Sequence, residues 1–109
     1  MGVWKPSSAV FVGGTEAAKA LVKRKVRTRR AVVAMRFDPV NHTRRTASIE
    51  AGAVGFVANP DGISTRILIA FASSNVPAPA SLDVLMRQKD SLVVSIDWNE
   101  FRTDFEIEL

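Results

Sequence analysis

The spacing of apolar residues changes character along this chain. The first strong pattern is Ala-rich: Ala17, Ala18, Ala20 and Leu21 favour helix. Thr15 suits the capping position, and Glu16 suits the first turn, where a carboxylate meets the positive end of the helix dipole. The pattern predicts a helix from Glu16 to about Val26, with a thin apolar stripe of Ala17 and Leu21 and cations at its C-terminal end. Before it, Val10-Phe11-Val12 reads as a short strand broken by Gly13-Gly14, and Trp4 is expected to dock on its own domain or on a neighbouring subunit.

From Ala31 the period drops to two. Ala31, Val33, Met35 and Phe37 alternate with Val32, Ala34 and Arg36, which predicts a strand apolar on both faces and therefore central in a sheet. Asp38-Pro39 stops it. Thr46 to Ala58 predicts a second strand, in which Gly52 and Gly55 mark a bend, bulge or barrel corner. Asn59-Pro60-Asp61-Gly62 carries turn chemistry, and Ile63, Thr65, Ile67, Ile69 and Phe71 alternate beyond it, so the second and third strands are expected to form a hairpin.

After a Pro-containing loop over residues 73–80, Ser81 can cap a short helix from Leu82 to about Lys89, with Leu82, Leu85 and Met86 on one face. Leu92, Val94, Ile96 and Trp98 then predict a fourth strand. The apolar set slips from even to odd positions at Asn99-Glu100, as a tight turn or bulge would cause, and Phe101, Thr103, Phe105, Ile107 and Leu109 predict a fifth. The expected fold class is mainly β (α+β): a small five-stranded barrel or twisted antiparallel sheet, with an N-terminal basic helix and one short helix between strands three and four. That element order resembles an OB-fold, which often binds single-stranded nucleic acid. Residues 1–30 are expected to form an arm and basic helix, and residues 31–109 the β-rich domain.

Length and composition narrow the function. The chain has 109 residues, enough for one domain, is 47% hydrophobic and has no cysteine, so disulfides, thiolate metal sites and thiol nucleophiles are excluded. No apolar run approaches the roughly 20 residues that span a bilayer. Ala9 to Val12 is too short for a secretory signal, and Pro6 occupies the position where an N-myristoylation motif wants Ser or Thr. The expected location is cytoplasmic or nuclear, or within a virion. Asn41-His42-Thr43 matches a glycosylation sequon but reads as loop chemistry.

Charge changes the picture most. Residues 1–55 hold eleven Lys and Arg against three Asp and Glu, and residues 56–109 hold four against eight. Seven of the twelve residues from Lys19 to Arg30 are basic: Lys19, Lys23, Arg24, Lys25, Arg27, Arg29 and Arg30. Such a run gains affinity for a nucleic acid by releasing its condensed counterions, and Arg adds bidentate phosphate contacts. Arg36, Arg44 and Arg45 are expected to extend the same surface. There is no Tyr, and most Phe residues fall on predicted core faces, so contacts to the phosphate backbone are favoured over base readout.

The leading expectation is a non-enzymatic protein that binds RNA or DNA largely independently of sequence, without a cofactor and away from membranes, as a homo-oligomer. The alternative is a self-assembling structural subunit, coat-like, whose basic arm meets cargo or the acidic last strand of a neighbour, where Asp104, Glu106 and Glu108 fall in a line rather than converging on a metal. A third is a small RNA-cleaving enzyme using His42, the only histidine, with Arg44 and Arg45 holding phosphate.

Overall fold

Two stretches of the chain, residues 25–36 and 45–56, run past each other in a single antiparallel register, and the rest of the fold is arranged around them. The computed structural model describes residues 3–7, 20–36, 45–58, 66–72, 81–87 and 91–108. Its strands are β1 (Trp4–Pro6), β2 (Lys25–Thr28), β3 (Val32–Arg36), β4 (Arg45–Ile49), β5 (Val54–Val57), β6 (Arg66–Phe71), β7 (Leu92–Asp97) and β8 (Phe105–Glu108). Its helices are α1 (Leu82–Met86), between β6 and β7, and α2 (Trp98–Asp104), between β7 and β8. The strands form one open antiparallel sheet in the order β1-β8-β2-β5-β6-β7-β3-β4.

Lys25 lies opposite Phe56 at one end of the long pairing and Arg36 opposite Arg45 at the other, and no residue is gained or lost between them. What separates β2 from β3, and β4 from β5, is a corner. Thr28 fixes it: its N–H donates to the Ala53 carbonyl at 3.0 Å, and its hydroxyl donates to the Glu50 carbonyl at 2.6 Å and accepts the Ala53 N–H at 2.9 Å. Gly52 supplies the positive φ of 82° that the turn requires, and its N–H donates to the Thr28 carbonyl. The corner also dictates the curl of the sheet. β2 and β3 are four places apart in the strand order, roughly 19 Å in a flat sheet, yet the three residues joining them reach only about 14 Å. The sheet therefore coils round its core.

That core takes alternate residues from seven of the eight strands, including Val26, Val32, Ile49, Val57, Ile67, Val94 and Ile107. α2 fills it with Trp98 and Phe101, the latter stacked at a tilt on Phe105 with ring centroids 5.4 Å apart. The buried Ser7 hydroxyl donates to the Phe101 carbonyl and ties the β1 end to α2. On the opposite face Leu82 and Leu85 of α1 cover Phe56 and Ala70. Gly55 sits where a Cβ would lie 2.6 Å from the Ala70 carbonyl oxygen, so β5 and β6 approach at that point only because the side chain is absent.

Several expectations are corrected. The described residues form eight strands in one open sheet, so it is not a five-stranded barrel, and the OB-like element order does not hold. No N-terminal helix is evident: residues 8–19 lie outside the described residues, only Ala20 and Leu21 carry helical backbone, Lys23 has a positive φ of 71°, and Lys25–Thr28 is a strand. Helix propensity yields there to the ladder bonds that β5 and β8 offer on either side. The single strand expected over 46–58 is two strands, divided at Gly52, the site of the expected bend or corner. β3 is paired on both sides, by β7 and β4, but it is not covered on both faces: Val33 is 66% and Met35 43% exposed. The register slip at Asn99 is a helix rather than a tight turn or bulge, capped by Asp97, whose carboxylate accepts the Asn99 N–H. The short helix capped by Ser81 is present over Leu82–Met86, with Leu82 and Leu85 buried but Met86 exposed, and β5 and β6 pair as the expected hairpin. Val10–Val12 and the turn at residues 59–62 lie outside the described residues.

Candidate nucleic-acid interface

The basic run is mostly built into the sheet. β2 pairs with β5 on one side and β8 on the other, so Val26 and Thr28 point into the core and Lys25 and Arg27 point out. The neighbouring strand β8 presents Glu106 and Glu108 on that same outer face. Arg27 donates from Nη2 at 2.5 Å and from Nε at 3.2 Å to Glu106 Oε2, directly across the ladder. Its guanidinium carbon lies 4.6 Å from the Trp4 ring centroid, a cation–π contact that clasps β1 to the same spot. Lys25 Nζ lies 3.7 Å from Glu108 Oε2.

Two more members of the run are also paired. Arg30 Nη2 is 2.5 Å from Asp104 Oδ1, at the end of α2. The contact is an ion pair. The Arg29 N–H donates to the Asp104 carbonyl at 2.7 Å, so the β2–β3 corner is pinned to α2 twice. Lys23 reaches Asp83 of α1 at 3.7 Å, with both groups solvent-exposed.

The ten residues picked out by sequence thus separate into three groups. Lys23, Lys25, Arg27 and Arg30 hold carboxylates of their own chain. Arg24, Arg29, Arg36 and Arg45 are exposed and form no ion pair among the described residues. Lys19 and Arg44 lie outside the described residues, as does His42.

Within the unpaired group, Arg36 and Arg45 are direct cross-strand partners at one end of the β3–β4 ladder. Like charges so placed repel, and no carboxylate among the described residues relieves them. Arg29 lies at the opposite end of β3, on the order of 20 Å away along the strand. The free cations are therefore spread over the surface, with one concentrated pair, rather than gathered on an arm. The period-two charge pattern of Lys25 and Arg27, matching that of Glu106 and Glu108, is the sequence signal that identifies the paired group.

Among the described residues no three His, Asp or Glu side chains come together to hold a metal, and no helix is long and apolar enough to cross a membrane. No family model, curated protein or solved structure matches this chain.

Proposed function

We propose that this protein is a non-enzymatic nucleic-acid-binding protein that contacts the phosphate backbone through its unpaired arginines, foremost Arg36 and Arg45. The observation that carries this reading is their position directly opposite each other, exposed and with no carboxylate paired to either among the described residues. A phosphate between two guanidiniums removes their repulsion and accepts hydrogen bonds from both. Arg44, which precedes Arg45 in the chain, adds a third positive charge to this stretch of sequence. Arg24 and Arg29 supply further contacts of the same kind. Lys23, Lys25, Arg27 and Arg30 contribute less, because a phosphate has to displace a carboxylate already in place.

The coat-like alternative in its arm-to-acid form has less to work with, since Glu106 and Glu108 are already engaged by Arg27 and Lys25 of the same chain. The test is equilibrium binding of labelled single-stranded RNA and DNA over a series of salt concentrations. Backbone binding predicts a linear fall of log affinity with log salt, with a slope of about −0.7 for each phosphate neutralised on a single strand. Affinity that ignores salt would remove the proposal.

A further inference from the structure

We propose that the free edge of β4 pairs with the same edge of a second copy, joining two sheets into one across a two-fold axis at Ala47. The two edges of this sheet are treated differently. β1 is three residues long, ends in Pro6, which has no N–H to offer, and carries Lys5. Those are the devices by which sheet edges are kept from pairing. β4 has none of them between its ends: Thr46, Ala47 and Ser48 are small or β-branched, uncharged, and free of Gly and Pro. One side of its backbone is taken by β3, and no strand among the described residues pairs with the other.

The strand is also complementary to itself. An antiparallel pairing of two identical strands, with the two-fold axis normal to the sheet, must place one residue opposite its own copy. With Ala47 there, Thr46 of each copy faces Ser48 of the other, and Arg45 faces Ile49. Thr and Ser are a favourable cross-strand pair. The positive end of each strand then lies at the Glu50 end of the other, while the two copies of Arg45 are held at opposite ends, on the order of 14 Å apart. On the outer face, Val33 and Met35 flank Ser48 and Thr46 in register. The joined sheet therefore carries these exposed apolar residues on both sides of the new seam. A second copy fits this edge better than an unrelated extended peptide, because both the charge order and the hydroxyl pairs are satisfied by the strand's own sequence.

Sedimentation equilibrium of the full chain, free of nucleic acid, tests this directly. The expected result is a mass twice that of one chain. Thr46→Lys together with Ser48→Lys sets like charges opposite at both outer-face pairs and is expected to give the single-chain mass with an unchanged circular-dichroism spectrum. Thr46→Lys together with Ser48→Glu sets opposite charges across the same pairs and is expected to restore the doubled mass. A single-chain mass for the unsubstituted protein at all concentrations overturns the proposal. So does a doubled mass that survives the Lys/Lys change, or a Lys/Glu variant that fails to re-form the pair. Hydrogen exchange on the unsubstituted chain needs no variant: the outward amides of β4 are expected to be protected at high concentration and to lose that protection on dilution. Protection that does not change with concentration contradicts the pairing.

Discussion

Arg36 stands directly opposite Arg45 across the β3–β4 ladder, and both side chains are exposed. Neighbouring positions on the same ladder are matched, Val32 with Ile49 and Ala34 with Ala47, so the two charges end an otherwise apolar row. Replacing Arg45 by Thr removes a repulsion and adds a good strand former. Thermal or urea unfolding is expected to show a gain of about 0.5 kcal/mol, larger at low salt. Nucleic-acid affinity is expected to fall in the same variant. Stability and binding moving in opposite directions is what a site kept for a ligand predicts.

The Arg27–Glu106 pair has the opposite character. It joins neighbouring strands by two donated hydrogen bonds and carries Trp4 on its other face. Both side chains keep some solvent contact, so the coupling is modest. A double-mutant cycle with Arg27→Ala and Glu106→Ala is expected to give about 0.5 to 1 kcal/mol, with little change in nucleic-acid affinity.

Thr28 holds the corner that turns β2 into β3. Thr28→Val keeps the shape and removes the hydroxyl, leaving the Glu50 carbonyl and the Ala53 N–H without it. Urea unfolding is expected to show a loss of about 2 kcal/mol. Thr28→Ser keeps the hydroxyl and is expected to lose less than the Val variant.

Gly55→Ala puts a Cβ 2.6 Å from the Ala70 carbonyl oxygen and 2.9 Å from the Phe71 ring, at the end of the β5–β6 pairing. Backbone cannot yield there cheaply, and a loss of about 3 kcal/mol is expected. Gly52→Ala has open space around the new methyl but a φ of 82°, so its expected loss is smaller, about 1 kcal/mol. The order of the two midpoints in one urea series checks both.

The parts of this fold visible in the sequence are those where one face decides the structure. Leu92, Val94 and Ile96 alternate cleanly and form β7, and Ser81 precedes Leu82 and Leu85 as a cap precedes an apolar face. Two of the misread parts carry two periods at once. Phe101, Thr103 and Phe105 alternate like a strand, yet Trp98, Phe101 and Phe105 also fall on one helical face, with Asp97 placed to cap and Glu100 in the first turn. Lys25 to Thr28 follows an Ala-rich stretch that favours helix, yet its charged and apolar residues alternate, and pairing on both sides settled the contest.

The candidate site was half visible for a related reason. Which residues are basic is plain in the sequence. Which of them are free depends on strand order, because β8 lies beside β2 only in the folded sheet. The acidic last strand does meet the basic run, but within one chain.

The central claim is that unpaired arginines bind nucleic acid while the paired cations hold the sheet together. Parallel salt titrations of RNA binding test it most directly, comparing the unsubstituted protein with Arg36→Ala/Arg45→Ala and with Lys25→Ala/Arg27→Ala. The account predicts that the first variant loses affinity and that its salt slope becomes shallower by about 1.4, at two contacts of about 0.7 each. It predicts that the second keeps the slope and loses stability. Equal losses of slope in both variants, or a full slope without Arg36 and Arg45, would contradict it.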